Sequence, residues 1–173
     1  MPILAPKTTA IHAQHHGMTI TVSLLLALVC NLLPWRIDWL WLRPDFLLLV
    51  TLYWSIYRPD RIGIGHAWWL GLLEDLTDGA HIGQHALAYA VTIYAAGMFQ
   101  RRLFNFPPWQ QALPVLAFLL LDEIVNLVVA TFAGDSRTAS LPYTFSAVSG
   151  TLCWFVLWTI LHQLHKRTAH ESP

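Results

Sequence analysis

The chain has 173 residues, of which 55% are hydrophobic and only 12% charged. Ordinary globular domains carry about 25% charged residues. Ten Lys+Arg against ten Asp+Glu leave a formal net charge of zero, which excludes the basic footprint of a nucleic-acid-binding protein. A mean hydropathy of +0.48 represents more apolar surface than a soluble fold of this size can hide. The composition is that of an integral membrane protein. Nine Trp, eight Phe and five Tyr supply the rings that gather at membrane–water interfaces.

Two cysteines, Cys30 and Cys153, lie in apolar runs and exclude both a disulfide scaffold and a CxxC motif. The N-terminal region is thinly basic, with Lys7 ahead of His12, His15 and His16. The run from Thr19 to Leu33 is long, and Leu28-Val29-Cys30-Asn31 lacks the small residues of a peptidase site. The run is therefore read as a first membrane helix and not as a cleaved leader.

A span takes ~20 apolar residues, and the chain predicts six, at 18–35, 39–57, 62–80, 84–100, 109–133 and 144–164. The fold class is thus an all-α membrane protein, a compact bundle of about six transmembrane helices. Its organisation is a tail at 1–17, a six-span domain at 18–164 and a second tail at 165–173. The second span is irregular. Arg43-Pro44-Asp45 interrupts it, and the 12 residues from Phe46 to Tyr57 rise only about 18 Å, short of a ~30 Å hydrocarbon core. Either the bilayer thins there, or Trp39 to Leu42 form a bent, partly unwound lead-in protected by neighbouring helices. Pro44 at a helix's first turn favours the second picture.

Charge sets the orientation. With both termini cytoplasmic, the inner segments hold Lys7, Arg58, Arg61, Arg101, Arg102, Lys166 and Arg167, and the outer ones Arg36, Arg43 and Arg137, as the positive-inside rule requires. Helix association in lipid relies on small and polar residues. Stripes of them run through Thr19, Ser23, Ala27 and Asn31; Gly63, Ala67 and Gly71; Ala86, Ala90 and Gly97; Asp122, Asn126 and Ala130; and Ser146, Gly150 and Cys153. They are read as packing seams. Trp35, Trp39 and Trp41 mark the outer boundary, and Tyr53, Trp54, Tyr57, Trp68, Trp69 and Trp109 the inner one.

Two acidic clusters stand out, Glu74-Asp75-Leu76-Thr77-Asp78 and Asp122-Glu123-Ile124-Val125-Asn126. Both fall in the outer half of the bilayer on this topology, where an ionisable residue is a functional candidate by default. In one reading they hold Mg²⁺ against a lipid diphosphate, although basic residues on that side are few. In the other, Glu74, Asp75 and Asp78 cap a span in water, while Asp122 and Glu123 hydrogen-bond within the bundle or to a partner. Of these two adjacent carboxylates, at least one is expected to be protonated or paired with a base such as Arg43. His66, His81 and His85 fall at span boundaries. HExxH, GxxxxGK[ST], GxSxG and GxGxxG are all missing from the sequence, and no metal or cofactor is implied.

The run Arg43-Pro44-Asp45-Phe46-Leu47-Leu48-Leu49, closed by Tyr53-Trp54 and Arg58-Pro59, is followed by Gly63-Ile64-Gly65, Gly71-Leu72-Leu73-Glu74-Asp75-Leu76, Gly79 and Gly83-Gln84-His85-Ala86-Leu87. In order and spacing this block resembles the rod shape-determining protein MreD family. The resemblance implies a non-enzymatic inner-membrane scaffold of the bacterial elongation machinery. Its partners would be a bitopic MreC-like protein and a RodA-type glycosyltransferase with its penicillin-binding transpeptidase. It would work indirectly with MreB and RodZ, amid membrane lipid. The resemblance also implies a fold similar to the substrate-binding subunits of energy-coupling-factor transporters. The alternative is therefore a small-molecule-binding transporter subunit. Candidate structural or docking residues are Arg43, Pro44, Asp45, Gly63, Gly71, Glu74, Asp75, Asp78, Gly83, Asp122, Glu123 and Asn126.

Overall fold

A computed structural model describes residues 7–33, 42–78, 81–134 and 143–170, with side chains at 17–33, 42–77, 81–134 and 145–165. Trp35, Arg36, Trp39, Trp41, Gly79 and Arg137 lie outside the described residues, as do the side chains of Asp78, Lys166 and Arg167. Six helices follow in the predicted order: α1 Lys7–Leu32, α2 Phe46–Tyr57, α3 Ile64–Asp78, α4 Gln84–Asn105, α5 Pro108–Phe132 and α6 Tyr143–His170. The first begins well inside the expected tail, because nothing between Lys7 and Gly17 breaks a helix. By length and composition two stretches are long and apolar enough to cross a membrane, Pro108–Phe132 and Phe145–His165, while Gly17–Leu32 and Phe46–Tyr57 are shorter apolar helices.

The shortest helix is the core. Every residue of α2 from Leu47 to Ile56 is buried, and α1, α4 and α6 pack around it. A helix that is apolar on all sides sits either in lipid or inside protein; burial places α2 inside protein, and an enclosed helix need not match the thickness of a bilayer. Leu42 to Asp45 are not α-helical, so the irregular second span is a 12-residue helix behind an unwound lead-in. Pro44 stands one residue ahead of the N-cap, Asp45, whose carboxylate accepts the Leu48 N–H. Around this centre α3 packs on α4, and α5 packs against both α4 and α6.

Burial corrects the aromatic assignment. Tyr53 and Trp54 are 0% and 1% exposed, so they belong to the core and not to an interfacial belt. Trp54 Nε1 donates to Ser23 Oγ at 2.8 Å, and Ser23, Ala27 and Asn31 are buried as one inward stripe of α1. Trp68, Trp69 and Trp109 are exposed. At the far end of α2, Tyr57 Oη accepts from Gln111 Nε2 at 2.9 Å and from Trp158 Nε1 at 2.7 Å, which ties α2 to α5 and α6. Gln111 also donates to the Leu103 and Phe106 carbonyls, both at 2.9 Å, closing the C-terminal end of α4.

The α3–α4 seam is a close backbone approach. A Cβ on Gly71 would stand 2.5 Å from the His85 carbonyl oxygen and 2.6 Å from Ala86 Cα. Ala67 is fully buried one turn earlier. Gly63 precedes α3, and a Cβ there would meet nothing within 4 Å; the seam therefore begins at Ala67. Gly97 likewise faces open space. Gly71→Ala must push two backbones apart and is expected to cost about 1–3 kcal/mol, and Gly71→Leu more. Leu72→Ala, at a half-buried position, costs less. Unfolding of the detergent-solubilised variants checks this order, and equal losses would contradict the seam.

Candidate functional site

The lead-in to α2 poses a chemical problem, because non-helical backbone inside an apolar bundle needs partners from elsewhere. The other helices supply them. Ser146 Oγ donates to the Arg43 carbonyl at 2.9 Å and Ser149 Oγ to the Leu42 carbonyl at 2.7 Å, both from α6. From α1, Asn31 Oδ1 accepts the Phe46 N–H at 3.0 Å.

Asp45 is the hub. Its Oδ1 accepts from Asn31 Nδ2 at 3.0 Å and Leu48 N at 2.9 Å, and its Oδ2 from the Tyr89 hydroxyl of α4. The same Asn31 amide donates to Glu74 Oε1 of α3 at 2.9 Å, and Arg43 Nη2 stands 3.5 Å from that oxygen. Five segments thus meet on one carboxylate pair. An amide between two acidic groups is well chosen, since its NH₂ offers two donors without adding charge.

Asp75 performs a different task. With its side chain fully buried, it accepts from Gly83 N and His85 N, both at 2.8 Å, and from Ala86 N at 3.4 Å. These are amides at the start of α4 that have no partner within the helix, and Gly83 in the left-handed conformation (φ 99°) offers no side-chain cap. A carboxylate from α3 caps α4 in place of a residue of α4 itself, and the helix dipole favours its charge. His85 Nδ1 lies 3.0 Å from the same carboxylate.

On α5, Asp122 Oδ2 accepts from Asn126 Nδ2 at 2.9 Å, and Glu123 Oε1 accepts the Ala147 N–H of α6 at 3.1 Å. A cavity of about 30 Å³ separates them from the hub, lined by Asp45, Leu48, Leu119, Asp122, Glu123, Ser146 and Ala147.

Of the predicted residues, the structure brings Arg43, Asp45, Glu74, Asp122 and Glu123 into one region, with Pro44 buried beside them and Asn126 holding Asp122. Asp75, Gly83 and Gly71 form the neighbouring α3–α4 junction. Gly63 is at the opposite end of α3, and the side chain of Asp78 lies outside the described residues. The reading that placed Glu74 and Asp75 in water is corrected: they are 2% and 1% exposed, because each has buried donors to satisfy. Asn31, Tyr89, Ser146 and Ser149 were not singled out as site residues. The one signal for Asn31 was its place at the end of the α1 stripe. Among the described residues no group of three or more His, Cys, Asp or Glu is placed to hold a metal ion.

Six helices among the described residues, two of them long and apolar enough to cross a membrane, fit a helical membrane protein. The model of the rod shape-determining protein MreD family matches residues 13–167. The chain is also 31% identical over 140 residues to the rod shape-determining protein MreD of Haemophilus influenzae, covering 81% of this chain and 83% of that protein. The chain belongs to the rod shape-determining protein MreD family. No solved structure matches it, so the likeness to transporter subunits stays an expectation.

Asn31→Leu removes the amide joining Asp45 to Glu74 and is expected to lower unfolding stability by about 1–3 kcal/mol. Asp75→Ala, which orphans the start of α4, should destabilise more than Asp75→Asn, which keeps one acceptor oxygen. Thermal unfolding in detergent checks both, and an equal loss for the two Asp75 variants would contradict the capping role.

Proposed function

We propose that this chain is a non-enzymatic inner-membrane scaffold of the bacterial cell-elongation complex, a six-span protein that links an MreC-like bitopic partner, MreB and the peptidoglycan synthases. Family membership supplies the rod-shape role. The observation that carries the scaffold reading is the internal engagement of the acidic residues. Glu74 is held by Asn31 and Arg43, Asp45 by Asn31, Leu48 and Tyr89, and Asp75 by the start of α4. Carboxylates so occupied are poor Mg²⁺ ligands. The cavity beside them, about 30 Å³, is on the order of a tenth of the smallest ordinary ligand pocket, which favours a scaffold over a vitamin-binding subunit.

In the proposed topology both termini are cytoplasmic and the Asp45 cluster lies in the outer half of the membrane. Since Glu74 and Asp75 are buried, they do not touch a partner. They hold the ends of α1, α3 and α4 and the start of α2 in register, and the surface so shaped receives the MreC-like segment. The RodA-type glycosyltransferase and its transpeptidase join through lipid-facing helix surfaces such as those of α5 and α6. On the inner side the Arg58 guanidinium forks onto Asp60 through Nε and Nη2, both at 3.0 Å. That hydrogen bond holds the Asp60 carboxyl below its usual range. Arg61, Arg101 and Arg102 are exposed and face anionic lipid headgroups or a cytoplasmic partner.

Depletion of the protein in its native cell is expected to turn rods into spheres. Re-expression should restore them, and the Asp45→Ala variant should not. Unchanged shape on depletion, or Mg²⁺-dependent diphosphate release by the purified protein, would overturn the proposal. Cysteines introduced at positions 10 and 169 should resist an impermeant thiol reagent in intact spheroplasts. Labelling of either from outside contradicts the topology.

A further inference from the structure

The network around Asp45 leaves buried acceptors unmatched, among them Asp122 Oδ1 and, beside it, Asn126 Oδ1. Asp122 is 5% exposed; Asn126 serves its Oδ2, while its Oδ1 is buried with no hydrogen-bond partner. Asp122 lines the 30 Å³ cavity with Asp45, Glu123 and Ser146. That space exceeds the roughly 10–15 Å³ a cavity needs to hold one water molecule.

The cavity wall has acceptors in excess. Asp45 already accepts three donors, from Asn31, Leu48 and Tyr89, as an ionised carboxylate does. Glu123 accepts from Ala147, and the single hydroxyl proton of Ser146 goes to the Arg43 carbonyl. No lysine, arginine or histidine lines the cavity among the described residues. Arg43 is directed at Glu74, and Tyr89 donates to Asp45. An ionised Oδ1 that is buried with no donor leaves charge uncompensated, which is the costly arrangement. Three carboxylates around a space of this size also repel one another strongly if all are ionised.

We propose that this cavity is a proton-binding site. Asp122 carries one exchangeable proton on Oδ1 and donates it to a single water, which donates its own two hydrogens to Asp45 and Glu123. The water then makes three hydrogen bonds, the usual number for a buried one, and every polar group lining the cavity is satisfied. The assembled site links the lead-in of α2 to α5 and α6 through a group that is exchangeable, unlike the fixed amide of Asn31. The inference stands independently of the scaffold proposal.

Infrared spectra of the full chain in lipid nanodiscs near neutral pH, taken in H₂O and D₂O, test it. The expected result is a carbonyl stretch of a protonated carboxylic acid that shifts down in D₂O, disappears in Asp122→Asn and persists in Glu123→Gln. The asparagine keeps the contact with Asn126 and retains a donor toward the cavity, so folding is expected to survive. Absence of the band in the unmodified protein, its persistence in Asp122→Asn, or its loss in Glu123→Gln would each overturn the assignment. The first and third hold even if Asp122→Asn does not fold. A cation occupant is separated by replacing Na⁺ with choline at constant ionic strength. An unchanged thermal midpoint agrees with a proton; a fall that Na⁺ alone reverses would replace the proton with an alkali ion and overturn the proposal.

Discussion

Polypeptide that leaves the helical state inside an apolar bundle takes its carbonyl and amide groups with it, and lipid offers them no partner. Leu42 to Asp45 form such a stretch, and much of this end of the molecule is arranged around it. The serines of α6 take two of its carbonyls, Asn31 takes the amide that follows, and Asp45 turns the last residue of the lead-in into a cap for α2. These contacts, with that of Tyr89 of α4 on Asp45, come from distant parts of the chain, so satisfying the lead-in also fixes how α1, α4 and α6 stand around α2.

The shortness of α2 follows from the same arrangement. A helix that starts and ends inside protein need only span the distance between its two polar anchors. Asp45 anchors one end, and Tyr57, with Gln111 and Trp158, anchors the other. The ten buried residues between them then pack on every side. Asp75 extends the principle to α4, whose first turn begins at a glycine in the left-handed conformation and is completed by a carboxylate from α3. The nearby contact of Gly71 with the α4 backbone brings the two helices close enough for that reach.

Such a design suits a protein whose output is shape. Acidic residues that would signal chemistry in another context are here the acceptors for internal donors, and they tie the helix ends together. A buried ionic network is costly to assemble and more costly to break by halves. The unmatched oxygen of Asp122, beside the small cavity, leaves room for a mobile occupant.

Hydropathy and charge by themselves determined the number and order of the helices among the described residues and the interruption at Arg43-Pro44-Asp45, and the motif block from Arg43 to Leu87 determined the family, because these depend on local composition and on residues close together in the chain. They also singled out both acidic clusters, since a carboxylate in an apolar run is conspicuous wherever it points. What they left undecided was direction. Tyr53 and Trp54 read as interfacial although they are core, because in a helix apolar on all sides no periodicity distinguishes lipid from protein. Glu74 and Asp75 read as solvated because their donors, Asn31 and the start of α4, are distant in sequence or hidden in backbone amides. Only the tertiary structure decided those pairings, since a hydrogen bond between residues 31 and 74 leaves no mark on the sequence around either one.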